Sequence, residues 1–131
     1  MSICDYLEEI LTDQFSIFCQ RKENSISVSP QNQNGFEVEL RDDEDEITVS
    51  YEGWHEHFNN EEDDAAINCF MAGLTNRYRL CVESWGTRPW KWTPEYLDED
   101  TWTPCGGTMY YFKLPCLPYV YPFVPTPCLT Y

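Results

Sequence analysis

Two runs of strict alternation, Phe36-Val38-Leu40 and Ile47-Val49-Tyr51, flank five consecutive acids, and this pattern constrains the fold more than any other in the chain. The residues between are Glu37, Glu39 and Arg41 in the first run, then Thr48, Ser50 and Glu52 in the second. A period of two sends each set to its own face, so both runs read as strands with one face buried and one wet. The acidic stretch between them is then a hairpin turn. Ile26 and Val28, alternating with serines ahead of the turn-forming PQNQNG, add a third strand.

A sheet buried on one face needs a cover, and two helical segments can supply it. Ile3, Tyr6, Leu7, Ile10, Leu11, Phe15, Phe18 and Cys19 recur at three- and four-residue spacing with acids and polar residues between them. Ser2 and Asp5 resemble a capping box, and Arg21 and Lys22 suit the negative end of the helix dipole. A second helix is expected from about Glu61 to Leu74, capped by Asn59 or Asn60. Glu61, Glu62, Asp63 and Asp64 occupy its first turn, where the dipole favours negative charge, and Ala66, Ile67, Phe70, Met71 and Leu74 make its buried stripe.

Tyr78, Leu80 and Val82 begin a further alternating strand. Gly86–Pro89 reads as a turn, Trp90–Trp92 as a short strand, Asp98–Asp100 as a turn, and Met109–Phe112 as another strand. The predicted class is α+β: a mainly antiparallel sheet with an N-terminal helix and a second helix packed on one face. At 131 residues a single domain, 1–131, is expected. From 113 to 131 five prolines interrupt any ladder, so this tail is expected to be at best an edge strand followed by extended chain.

Charge is distributed very unevenly. Residues 1–65 hold 18 acids against Arg21, Lys22 and Arg41, whereas residues 66–131 hold five of each sign, so the formal charge of −15 belongs to the first half. Phosphate would be repelled, which argues against direct nucleic-acid binding and for a basic protein partner. Asp42, Asp43, Glu44, Asp45 and Glu46 are the candidate contact residues, with Glu61, Glu62, Asp63 and Asp64; whether the two segments merge is open at this stage. Such a surface would speed encounter with a cation and exclude anionic competitors. The bland alternative for the hairpin acids is a solvated turn.

The hexapeptide GWHEHF contains both histidines of the chain. On a strand, His55 and His57 would share a face, as two ligands of a metal site do, and Glu52 or Glu56 could add a carboxylate. No third ligand is fixed by spacing. The plainer reading is a strand-to-helix junction with Trp54 and Phe58 buried and His55, Glu56 and His57 held by hydrogen bonds. No cofactor is expected, and no nucleophile elbow, phosphate loop or dinucleotide fingerprint occurs.

Seven cysteines without a C-x-x-C pair suggest reduced thiols packed as small apolar groups. No apolar run is long enough to span a membrane, and acids within the first ten residues do not resemble a secretory signal, so a cytoplasmic location is expected. Trp85, Trp90, Trp92 and Trp102 lack the basic groove of a stacking platform and are expected in core and edge packing. Pro122–Pro125 has P-x-x-P spacing without a flanking base, and packing against the domain is the simpler expectation.

The segment from Phe36 to Trp92 resembles a small uncharacterised bacterial cytosolic family. The shared look is DEITVSYEGWHEHF, then a helix with AINCFMAGL, a strand like YRLCVESWG, and PWKWTPEYL. GWHEHF is its most specific part. Such proteins look like immunity proteins, which neutralise toxins exchanged between competing bacteria. The resemblance implies an acidic inhibitor of a basic toxin such as a nuclease, and no catalytic residues. The tail after Lys113 departs from the family pattern. Two other functions fit the residues: a DNA mimic acting on a defence or DNA-binding protein, and a small metal protein or enzyme using His55 and His57.

Overall fold

The computed structural model describes residues 2–85, 88–105, 109–110, 123–125 and 129–130. Helix α1 spans Ile3–Asp13. Strands β1 (Gln20–Arg21), β2 (Ser25–Val28), β3 (Val38–Asp43), β4 (Glu46–Tyr51) and β5 (Trp54–Asn59) follow. They form an antiparallel meander in the order β1-β2-β3-β4-β5. Helix α2 (Asp63–Ala72) leads to the second sheet, built on β6 (Tyr78–Trp85), β7 (Arg88–Asp98) and β8 (Thr101–Pro104). Short strands β9 (Met109–Tyr110), β10 (Phe123–Pro125) and β11 (Leu129–Thr130) complete it: β9 pairs with β7, and β10 and β11 pair with β6. The class is α+β, with two helices covering one face of the first sheet.

The core follows the period-two pattern. Ile26 and Val28, Val38 and Leu40, and Ile47, Val49 and Tyr51 are buried on one face. Helix α1 lays Ile3, Cys4, Leu7 and Leu11 on that layer, and α2 adds Ala66 and Phe70. Leu80 and Val82 of β6 belong to the same buried cluster, so the two sheets share one core. Close approach fixes two glycines. A Cβ on Gly53 would fall on the Trp92 indole, and one on Gly73 would lie 2.5 Å from the Tyr51 ring.

Several expectations need correction. The first helix stops at Asp13, well short of Arg21 and Lys22, and no base lies in its last turn. Ser16, at φ 51, and a bond from the Ile17 N–H to the Leu11 carbonyl (2.8 Å) turn the chain back. Phe15 and Phe18 therefore leave the helix, and Tyr6 is exposed although its spacing matched the buried stripe. The Ser2–Asp5 capping box is present as expected, with both reciprocal bonds formed.

The α2 cap is Glu62, not Asn59 or Asn60; Asn59 ends β5. GWHEHF leads into α2 as a strand and is also a hairpin arm, because Glu52 and Gly53 close a two-residue turn between the paired Tyr51 and Trp54; Trp54 is buried and Phe58 only partly so. Strand β7 runs through Trp90–Trp92 to Asp98, longer than expected, with Pro94 paired to Leu80. Cys81 is disulfide-bonded, so the expectation of seven reduced thiols does not hold, and cysteine usage no longer argues for a reducing compartment. Four others, Cys4, Cys19, Cys69 and Cys105, are free. Among the described residues no helix is long and apolar enough to cross a membrane. The turn expected at Gly86–Pro89 loses Arg88 and Pro89 to β7, and its residues 86–87, residues 111–112 and most of the tail lie outside the described residues.

Candidate functional site

Antiparallel pairing brings the acids together. Asp43 of β3 is paired with Glu46 of β4, so Glu44 and Asp45 form a two-residue turn. Ser25, at the start of β2, is paired with Arg41, which sets the β1–β2 turn beside that hairpin tip. The Asp42 N–H donates to the Asn24 carbonyl at 2.8 Å and locks the two turns side by side. Glu23, Asn24 and Asp42–Glu46 then line one open concavity of about 600 Å³ with six carboxylates and no base.

The start of α2 joins the same end of the sheet. Glu46 is also paired with Asn59, the last residue of β5. Asn60 Nδ2 lies 3.5 Å from the Glu44 carbonyl. The loop into α2 is set by the Asn59 side chain, which accepts the Glu61 N–H at 2.9 Å, and by Glu62 Oε1, which accepts the Asn59 N–H at 3.0 Å. Glu61, Glu62, Asp63 and Asp64 are all exposed there. The two acidic segments named from the sequence therefore occupy one end of the first sheet, together with Glu23, which sequence reasoning missed. Its signal was indirect: Glu23 stands alone in the sequence, outside any acidic run, and its place beside Asp42 needs the β1–β2 turn.

Like charges facing each other across a ladder cost stability, and the Asp43–Glu46 pair is one such contact. Arg21 meets this end at a backbone carbonyl, and its carboxylate partner is Asp5. Its guanidinium bonds Asp5 Oδ1 at 3.2 Å and the Glu23 carbonyl at 3.3 Å. Asp5 is held below the ordinary carboxylate range, first by the Ser2 hydroxyl and backbone N–H and then by Arg21. Arg41 lies 3.5 Å from Glu39 on the outer face.

The histidine segment resolves differently. Trp54 is buried and stacks obliquely on Tyr51, with ring centroids 4.9 Å apart, so it is a core residue. His55 and His57 do share the outer face, their rings 4.9 Å apart and edge to face. Glu56 alternates to the opposite face, and Glu52 is committed in the turn, accepting the Glu37 N–H at 2.9 Å. Neither can join the histidines. The carboxylate that does approach is Glu46, 3.2 Å from His57 Nδ1, with Thr48 Oγ1 at 3.1 Å from the same nitrogen. Register explains it, since Glu46 sits one diagonal step from His57 across β4. Among the described residues no group of three or more metal-ligating side chains is gathered.

The second sheet carries balanced pairs. Arg79 Nε meets Glu95 Oε1 at 2.6 Å and stacks over the Trp102 ring at 4.4 Å, and Lys91 lies 3.4 Å from Glu83. This matches the neutral charge of the second half.

In comparisons with known proteins, no family model matches the chain, and no curated protein or solved structure matches it either.

Proposed function

We propose that this chain is a binding protein rather than an enzyme, and that it captures a basic protein on the acidic end of its first sheet. In its sharper form, suggested by the GWHEHF resemblance, it is an immunity-type protein that neutralises a basic toxin such as a nuclease. One observation carries the reading: three chain connections converge at a single sheet end, and the concavity there is lined by six carboxylates and no base. A surface of one sign accelerates encounter with a cationic protein and rejects anionic competitors. The acids cluster on turns and a helix start instead of forming two extended rows. That favours a compact cationic patch as partner over mimicry of a DNA duplex.

The product of the neighbouring gene is the natural test partner. Calorimetry should find a complex whose affinity falls at least about tenfold between 50 and 300 mM salt. The variant Asp43→Asn/Glu44→Gln/Asp45→Asn should weaken it further, and toxin activity should be inhibited in proportion to complex formed. Absence of a complex at low salt, or one indifferent to the triple variant, would remove the reading.

A further inference from the structure

Two strands end the order of the first sheet, β1 with two residues and β5 with six. In an antiparallel ladder, successive residues turn their main-chain groups to alternate sides. The two-residue turn at Glu52–Gly53 makes Tyr51 and Trp54 a hydrogen-bonded pair, so Trp54, Glu56 and Phe58 bond to β4. His55, His57 and Asn59 therefore turn their N–H and C=O groups away from the sheet. Asn59 is already closed: its N–H donates to Glu62 Oε1 at 3.0 Å, and its carbonyl accepts the Glu62 N–H at 3.0 Å. Among the described residues, nothing takes up the outward main-chain groups of His55 and His57.

Edge strands are ordinarily protected by lysine, proline or a bulge, and WHEHFN contains none of these. Its protection is Glu56, which falls on the inner face of the sheet opposite Val49 and yet is exposed. That carboxylate decides what the edge can accept. A second copy, paired antiparallel so that His55 and His57 of both chains are bonded, must be centred on Glu56. Glu56 would then face Glu56, and like charges directly opposite destabilise a ladder. A strand with lysine or arginine at that place meets an opposite charge instead. The surroundings have the same sign. Glu46 lies 3.2 Å from His57 Nδ1, Glu61 and Glu62 are exposed just beyond Asn59, and no lysine or arginine occurs between Arg41 and Arg77.

We infer that the outer edge of β5 takes up an extended strand of the basic partner, antiparallel, with a lysine or arginine opposite Glu56. This rests on the proposed binding role and deepens it. Exposed charge pairs are each worth little, so the acidic end draws the partner in but does not fix it. Main-chain hydrogen bonds to His55 and His57 set register and direction, and Glu56 selects the side chain between them. The mode is strand addition to an open sheet edge.

The test uses three end-blocked peptides of about nine residues, alternating threonine and valine. One has lysine at its centre and one has glutamate there. The third is the lysine peptide N-methylated at the two residues flanking the lysine, which removes the donors that would reach the His55 and His57 carbonyls. Amide shift titration gives affinity and footprint together. The lysine peptide should bind at least about fivefold more tightly than the glutamate peptide and perturb residues 54–59. N-methylation should abolish its binding. Glu56→Lys should reverse the preference, and because the side chain is exposed an unchanged melting temperature is expected. Should that variant melt early, Glu56→Gln takes its place and should erase the preference without reversing it.

No binding of the lysine peptide, or equal affinities for the lysine and glutamate peptides, would overturn the proposal. A footprint at Asp42–Glu46 that ignores N-methylation would also overturn strand addition, while leaving the acidic-end reading standing. That reading falls separately, if the complex with the neighbouring gene's product is indifferent to Asp43→Asn/Glu44→Gln/Asp45→Asn. Concentration-dependent dimers of the unchanged protein in sedimentation, with residues 54–59 at their interface, would assign the edge to a second copy and overturn the proposal.

Discussion

The Tyr51 ring lies against Phe36, with centroids 5.3 Å apart, against Trp54, and against the backbone of Gly73. Its hydroxyl donates to the Cys69 carbonyl and sits 3.7 Å from the Cys69 sulfur. Gly73 has an ordinary helical φ of −64, so nothing in its backbone demands glycine. Alanine there should be stabilising by chain entropy, yet its Cβ meets the ring. Packing wins, and Gly73→Ala should cost about 1 to 3 kcal/mol. Thermal melting decides it, since a raised melting temperature would show that the ring yields freely.

Burial pushes the Cys69 thiol up to about 11, against the Tyr51 hydroxyl, which pulls it down. Burial likewise raises Tyr51 above the ordinary phenol range. Both groups hold their protons longer folded than unfolded. The Cys69 contribution is complete below about pH 9 and is lost as pH climbs toward 11, and that of Tyr51 starts to be lost only above about pH 10, so stability falls on the alkaline side. Cys69→Val should flatten that slope by about 2 kcal/mol over the interval in urea titrations. An unchanged slope would show that the thiol does not drive it.

At the level of elements, the sheet was readable and the helix ends were not. Alternation from Phe36 to Tyr51 gave β3 and β4 because the buried face is written directly into period two. Tyr6 and Ile10 carry the same spacing as Leu7 and Leu11, and only the tertiary cover decides which flank stays wet. Phe15 and Phe18 extended the apparent helix because nothing local announces that the chain must turn back toward β1. In the hairpin of β7 and β8, Asp98 is paired with Thr101, so Glu99 and Asp100 form the turn and Glu99 adopts φ 56.

Asparagine tolerates that left-handed conformation better than glutamate. Glu99→Asn should raise stability by about 0.5 to 1 kcal/mol. Glu99→Gln removes the same charge without easing the backbone, so it is the control. If the two variants melt together, charge relief between Asp98 and Asp100 explains the gain.

Across the whole molecule, the charge imbalance between the two halves of the sequence becomes a polarity in space. The acidic segments themselves were legible as composition. Their meeting was not, because it depends on β2, β3 and β5 presenting their connections at the same end, a matter of register. The His55–His57 pair was legible as a shared face, but its carboxylate neighbour was not: Glu46 lies nine or more positions earlier and only pairing brings it near. Repulsion at the sheet end should be partly screened by salt, with a Debye length of about 10 Å at 0.1 M. The melting temperature should therefore rise between 10 and 200 mM sodium chloride and then level off. A flat profile would mean the carboxylates are already far enough apart to ignore one another.

Strand β6 is flanked by β7 on one edge and by β10 and β11 on the other. The first edge is closed by the very next strand, whereas among the described residues the second is covered by Phe123–Pro125 and Leu129–Thr130, far later in the chain. During synthesis on the ribosome, residues 20–59 can complete their meander while one side of β6 still displays unpaired amides and carbonyls. A chain interrupted before Phe123 would keep that side open, and an open ladder recruits whatever strand it meets. The order of translation thus makes β10 and β11, synthesised well after the strand they cover, guardians against aggregation, a duty quite separate from anything the acidic end does.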